Sequence, residues 1–117
     1  MNFFRQQLKY CLLATLFSLC SLGVHAATDD ARAAALAKQK ACLGCHAVDK
    51  KIVGPSFQAV AKKYATDPTA SVFLKNKILK GGSGSWGVVP MPANAKLSDA
   101  DLSLLTGWIL RGAPGTN

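Results

Sequence analysis

A length of 117 residues and a formal charge of +8 bound the reading to one small basic domain, too short for a second. No internal repeat, alternating strand pattern or low-complexity linker interrupts it. The basic excess does not point to nucleic acid, because the chain opens with the marks of export.

Met1 to Lys9 carries Arg5 and Lys9, Tyr10 to Val24 is almost uninterruptedly apolar or small, and Val24-His25-Ala26 offers a small-residue cleavage site. This is the order of a secretory signal peptide, predicted over residues 1–26 with the cut after Ala26 or Ala27. A spanning helix needs about 20 apolar residues, and this run is shorter and lacks a basic stop, so an uncleaved anchor is the weaker reading. Leu19 stands before Cys20 where a lipoprotein acceptor requires a small residue, which discounts lipidation. Cleavage predicts an exported domain over residues 27–117 and removes Met1, Cys11, Cys20 and His25. The domain then retains two cysteines, Cys42 and Cys45, one histidine, His46, and one methionine, Met91.

The first helix is predicted from Asp29 to Ala41, with acids at its start, bases at its end and alanine throughout. Gly54 and Pro55 break regular structure and mark a loop. Ser56 is a cap for a second helix whose Phe57, Val60, Ala61 and Tyr64 share one face. Asp67-Pro68 predicts the start of a third helix, with Val72, Phe73, Ile78 and Leu79 as its buried side and Gly81-Gly82 as its stop. Gly81 to Ala95 is a long loop holding Trp86 and Met91, and a loop of this length in a small domain is usually functional. Ser98, followed by Asp99 and Asp101, opens a last helix whose Leu102, Leu104, Leu105, Trp108 and Ile109 face inward until Gly112 and Pro114 end it. The domain therefore reads as all-α, with four helices.

Cys42-Leu43-Gly44-Cys45-His46 reads as a c-type haem attachment site, in which two thiols bond to the porphyrin and the adjacent imidazole ligates iron. Its rivals are a zinc half-site, a thioredoxin-like redox pair and two ordinary buried thiols. Zinc normally takes four Cys or His ligands and only three remain after cleavage, while a redox pair belongs in a βαβ pattern absent here. A disulfide would enclose two residues and do little to constrain the unfolded chain. One motif implies one haem, whose apolar surface would supply a core that so small a chain otherwise lacks. Met91 lies between Pro90 and Pro92. It is either a core methionine filling a gap or a thioether held out of helical structure toward the iron.

The pieces Lys40-Ala41-Cys42-Leu43-Gly44-Cys45-His46-Ala47-Val48-Asp49, Val53-Gly54-Pro55, Ser85-Trp86-Gly87-Val88-Val89-Pro90-Met91-Pro92 and Gly107-Trp108-Ile109-Leu110 occur in that order. In order and spacing they resemble the small monohaem class I bacterial cytochromes c of the c-551/c-552 type. The resemblance implies the cytochrome c fold, about four helices wrapped around one covalently bound haem c and its iron. It implies His46 and Met91 as axial ligands, Cys42 and Cys45 as thioether anchors, and the Pro55 carbonyl as acceptor for the His46 Nδ1 proton. It also implies that the Trp86 indole reaches a haem propionate and that Asn94 lies close to the methionine. Core packing is the competing role for Trp86, and turn formation for Asn94. Ala37 and Ala41 stand where relatives often have an aromatic residue and a glycine, and Lys77 where some have Arg or His.

Two protein ligands would leave iron no open position, so the expectation is a periplasmic one-electron carrier, a monomer and not an enzyme. The alternative is a haem enzyme or a gas or peroxide sensor in which Met91 is displaced. Without Arg5 and Lys9, the 14 basic residues fall to 12 against 6 acidic ones, a charge of +6. Such an excess either covers solvated helix faces or steers an acidic redox partner. Expected partners are a quinol-oxidising complex, a terminal oxidase, a nitrite reductase or a peroxidase, with no nucleic acid and no stable membrane insertion.

Overall fold

The structure, a computed structural model, describes residues 22–116. Most of the predicted signal peptide, with Met1, Cys11 and Cys20, lies outside the described residues. Among these are four helices, α1 (Leu22–Gln39), α2 (Phe57–Lys63), α3 (Ala70–Lys80) and α4 (Asp99–Leu110), and one 3-10 turn at Cys42–Gly44. The all-α expectation is met. Among the described residues, pairing of the β type is confined to two isolated bridges, His46 with Lys51 and Gly82 with Met91. No helix among them is long and apolar enough to cross a membrane.

α4 is the element on which the others pack. Its Leu102, Leu105, Thr106, Trp108 and Ile109 are buried, and the Thr106 hydroxyl among them is satisfied, donating to Leu102 O. Ala33 and Ala37, four residues apart on α1, are fully buried, as is Trp108. Small side chains on that face let α1 approach closely, so alanine at position 37 is compatible with a fully enclosed Trp108. The indole Nε1–H donates to Pro114 O at 3.0 Å, which satisfies the polar atom of the most deeply buried large side chain.

Two helix starts follow from local chemistry. The Ser56 hydroxyl accepts from Ala59 N and the Ser98 hydroxyl from Asp101 N, both at 3.1 Å, each satisfying an amide left without a helical partner. Asp99 and Asp101 add negative charge at the positive end of α4.

The other two starts differ from expectation. α1 begins at Leu22, so Asp29 and Asp30 lie inside the helix, where Asp29 pairs with Arg32 and Asp30 with Arg111. α3 begins at Ala70 and not at Pro68. The Asp67 carboxylate instead accepts from the amide and hydroxyl of Thr69, and Ala70 N closes a tight turn on Asp67 O. That turn leads into the helix but is not part of it. The buried face of α3 is Ala70, Leu74 and Ile78, at i, i+4 and i+8; Val72 is 64% exposed and Phe73 37%. An apolar quartet spread over two helical faces cannot all point at α4. Phe73 points elsewhere, packing on Tyr64 at a ring separation of 5.3 Å.

Candidate haem site

α1 ends where Lys40 N bonds to Leu36 O and Ala41 N to Lys38 O. Ala41 then takes a left-handed conformation, φ 60°, and turns the chain into the motif. The Cys42 carbonyl accepts from both Cys45 N and His46 N, at 3.2 and 3.0 Å, so the two thiols and the imidazole belong to one compact turn. Both thiols are half-buried and unpaired. Burial pushes the Cys42 thiol above its ordinary pKa, with partial relief from a backbone hydrogen bond, and so holds it protonated.

His46 is fixed from three sides. Its Nδ1 lies 2.7 Å from Pro55 O. A carbonyl only accepts, so Nδ1 carries the proton and Nε2 keeps a free lone pair, the atom suited to a metal. The Phe57 ring stacks on the imidazole at 5.4 Å and 17°, and Phe57 meets Trp108 edge-on at 5.2 Å, which ties the histidine to the core. Gly54 N bonds to Cys45 O, and the ring lies so close to Gly54 that an added Cβ would stand 2.8 Å from Nδ1. Glycine is required there for space.

The loop after α3 brings the second half of the site. Gly81, φ 67°, packs against the backbone of Met91, Pro92 and Ala93 with no room for a side chain. Gly82 and Met91 exchange two backbone hydrogen bonds of 2.9 Å, and Asn94 N bonds to Ile78 O of α3. A backbone clamp thus pins Met91 to the end of α3.

Together these elements enclose a cavity of about 480 Å³. It is lined by Cys42, Cys45, His46, Pro55, Trp86 and Met91, with Val60, Leu74, Ile78, Leu105 and Ile109 as apolar wall. Six of the seven predicted site residues are therefore brought to one space; Asn94 is not among the lining residues, and its backbone ties the loop to α3. Trp86 is 43% exposed, at the cavity and not in the core. Residues the sequence reading did not single out for the site also line it: Lys51, Tyr64 and Phe73. Lys63 lies beside its mouth, over the Trp86 ring at 4.4 Å. No spacing rule links Lys63 to Trp86, since the contact exists only once the loop has folded across.

The donor set fits a covalently attached haem: two thiols, an imidazole with Nε2 free and a thioether, around a largely apolar space of cofactor size. Among the described residues, no group of three or more His, Cys, Asp or Glu side chains gathers to hold a bare metal ion instead.

Known proteins bear on this geometry. The family model described as Cytochrome c matches residues 31–112. Cytochrome c-552 of Nitrosomonas europaea is 48% identical over 75 residues, 64% of this chain and 73% of that protein. Cytochrome c-551 of Pseudomonas aeruginosa is 40% identical over 101 residues, 86% of this chain and 94% of that protein. The crystal structure of wild-type Nitrosomonas europaea cytochrome c552 superposes with a TM-score of 0.65 at 47% identity, covering 68% of this chain and 98% of that one. The match takes in half of α1, the Cys42–His46 turn, the Met91 loop and α4, the parts that build the cavity. This chain belongs to the cytochrome c family, and Cys42 and Cys45 fit the attachment motif for that family's covalently bound haem c.

Proposed function

We propose that this protein is a periplasmic one-electron carrier in which His46 and Met91 are the two axial ligands of a single haem c. Family membership supplies the coarser part, a small cytochrome c of the electron-carrier kind. The observation that carries the finer part is that one cavity is lined both by the Cys42–His46 turn and by Met91 on its clamped loop.

When bound, the haem supplies an iron that gains and loses one electron. Cys42 and Cys45 anchor it by thioether bonds. His46 offers Nε2, because Nδ1 is committed to the Pro55 carbonyl, and that bond also fixes the ring plane. Met91 would supply the second protein ligand and favour the ferrous state, as would the apolar wall by penalising the extra ferric charge. Trp86, at the cavity, would offer its indole N–H to a propionate, and Asn94 would stand near the methionine ligand. Two strong protein ligands leave no open coordination site, which disfavours peroxide or gas chemistry and makes the protein a carrier and not an enzyme.

The carrier domain spans residues 27–117 and is released as a monomer by cleavage of residues 1–26. Lys51 and Lys77 line the cavity, and among the described residues that line it there is no carboxylate, which suits an acidic docking patch on a quinol-oxidising complex, terminal oxidase, nitrite reductase or peroxidase.

Optical spectroscopy of the holoprotein tests the ligand set. The ferric wild type is expected to show the near-infrared sulfur-to-iron band, Met91→Ala to lose it, and the ferrous wild type to leave carbon monoxide unbound over minutes. A wild type that lacks the band and captures carbon monoxide at once would favour the sensor or enzyme reading.

A further inference from the structure

The loop that carries Met91 is held unevenly. Its base is secured by the Gly82·Met91 pair and by Asn94 N to Ile78 O, both at the α3 end. Its outer part, residues 83–90, is held far less. Gly84 N closes a turn on Gly87 O within the loop, Val88 is 90% exposed, and Trp86 is only partly covered. Among the described residues, one hydrogen bond joins this outer part to a helix. Lys63, the last residue of α2, donates from Nζ to Ser85 O at 2.6 Å. The same ammonium lies over the Trp86 ring, 4.4 Å from its centroid.

α2 thereby touches both halves of the site. At its start Phe57 stacks on His46, and at its end Lys63 reaches across to the loop that leads to Met91. The geometry points to Lys63 as a positioning residue: its paired contacts with Ser85 and Trp86 latch the outer loop down and so set how readily Met91 leaves the iron. This rests on the proposal that Met91 is an axial ligand. A charge-assisted hydrogen bond and a cation–π contact on neighbouring residues reinforce each other, because forming one positions the ammonium for the second. The clamp at Gly82 fixes where Met91 returns to. The latch governs how often the loop lifts, since a segment tied at one end opens locally at much lower cost than one tied at both.

The test uses ferric holoprotein and the rate at which added cyanide replaces Met91, read as decay of the near-infrared sulfur-to-iron band. Lys63→Met keeps the aliphatic stem and removes both contacts, and is expected to capture cyanide about tenfold faster than wild type. Lys63→Arg retains a cation for Trp86 and a donor for Ser85, and is expected to restore the rate to within about twofold of wild type. Lys62→Met makes the same charge change on the neighbouring residue and is expected to leave the rate unchanged. Equal rates for Lys63→Met and wild type, or equal acceleration by Lys62→Met, would overturn the latch while the band of the resting protein still upheld Met91 as ligand. Absence of the band from resting wild-type protein would instead overturn the ligand assignment, and the latch with it.

Discussion

Ala41 holds φ 60° where the chain leaves α1 for the haem motif. An L-residue in the left-handed region is disfavoured by about 1–2 kcal/mol, and glycine escapes that cost while losing part of the gain to its freer unfolded chain. Ala41→Gly is therefore expected to raise holoprotein stability by about 0.5–1 kcal/mol, measured by denaturant unfolding. The turn was legible from Cys-x-x-Cys-His, but its strain was not, because alanine reads as a helix former and gives no local sign of a left-handed residue. Asp67 offers a pH test. Its two hydrogen bonds from Thr69 hold the carboxyl below its ordinary value of 3.8. A depressed folded-state pKa stabilises the fold above the unfolded value and ceases to do so as pH falls through the folded one. The melting-temperature deficit of Asp67→Ala relative to wild type should thus stay constant from neutral pH down to the ordinary carboxylate value and shrink below it. A deficit that persists at lower pH would show that the carboxylate charge contributes nothing.

Among the helices, α2 and α4 were readable in advance because a serine cap is a local signal that nothing distant overrides. The expected buried side of α3 is half met: Ile78 is buried and Leu79 packs on the core, while Val72 and Phe73 are exposed. Val72 and Phe73 are apolar, but Leu74 and Ile78 with Ala70 form the row that meets α4, and only the packed bundle chooses between two such rows. The Met91 loop was recognised by its prolines and length, while the clamp at its base was hidden, since it depends on a glycine meeting backbone ten residues away. Gly81 is the piece to change: a Cβ there would stand 2.8 Å from Ala93 N and press on the Met91 carbonyl, at φ 67° besides. Gly81→Ala is expected to cost about 2 kcal/mol in stability and to weaken the sulfur-to-iron band. A variant with the wild-type band and melting temperature would show that the loop tolerates the displacement.

The four helices meet on α4, yet the cavity removes part of the apolar contact that Leu74, Ile78, Leu105 and Ile109 would otherwise make. A domain this small gains little from the remaining core, so most of its cooperativity depends on what fills the space. The chain without haem is expected to be loosely collapsed, and a sharply dispersed proton NMR spectrum from haem-free protein would contradict that. Trp108 sits at the meeting of α4 with α1 and also backs Phe57, so Trp108→Ala should destabilise the holoprotein by about 3–5 kcal/mol in denaturant unfolding. The pairing of α1 with α4 bears on topology. Arg111 and Asp30, 81 positions apart, share an ion pair, so the two ends of the domain are neighbours in space. Such a chain behaves as a nearly closed ring. Joining Thr116 to Thr28 by a short linker and opening the exposed turn at Ala65-Thr66 keeps every helix pair and the whole cavity wall, while shortening the α1–α4 separation along the chain from the longest in the molecule to one of the shortest. A circular permutant of this kind should bind haem as the parent does and fold faster to the degree that α1–α4 closure limits the rate.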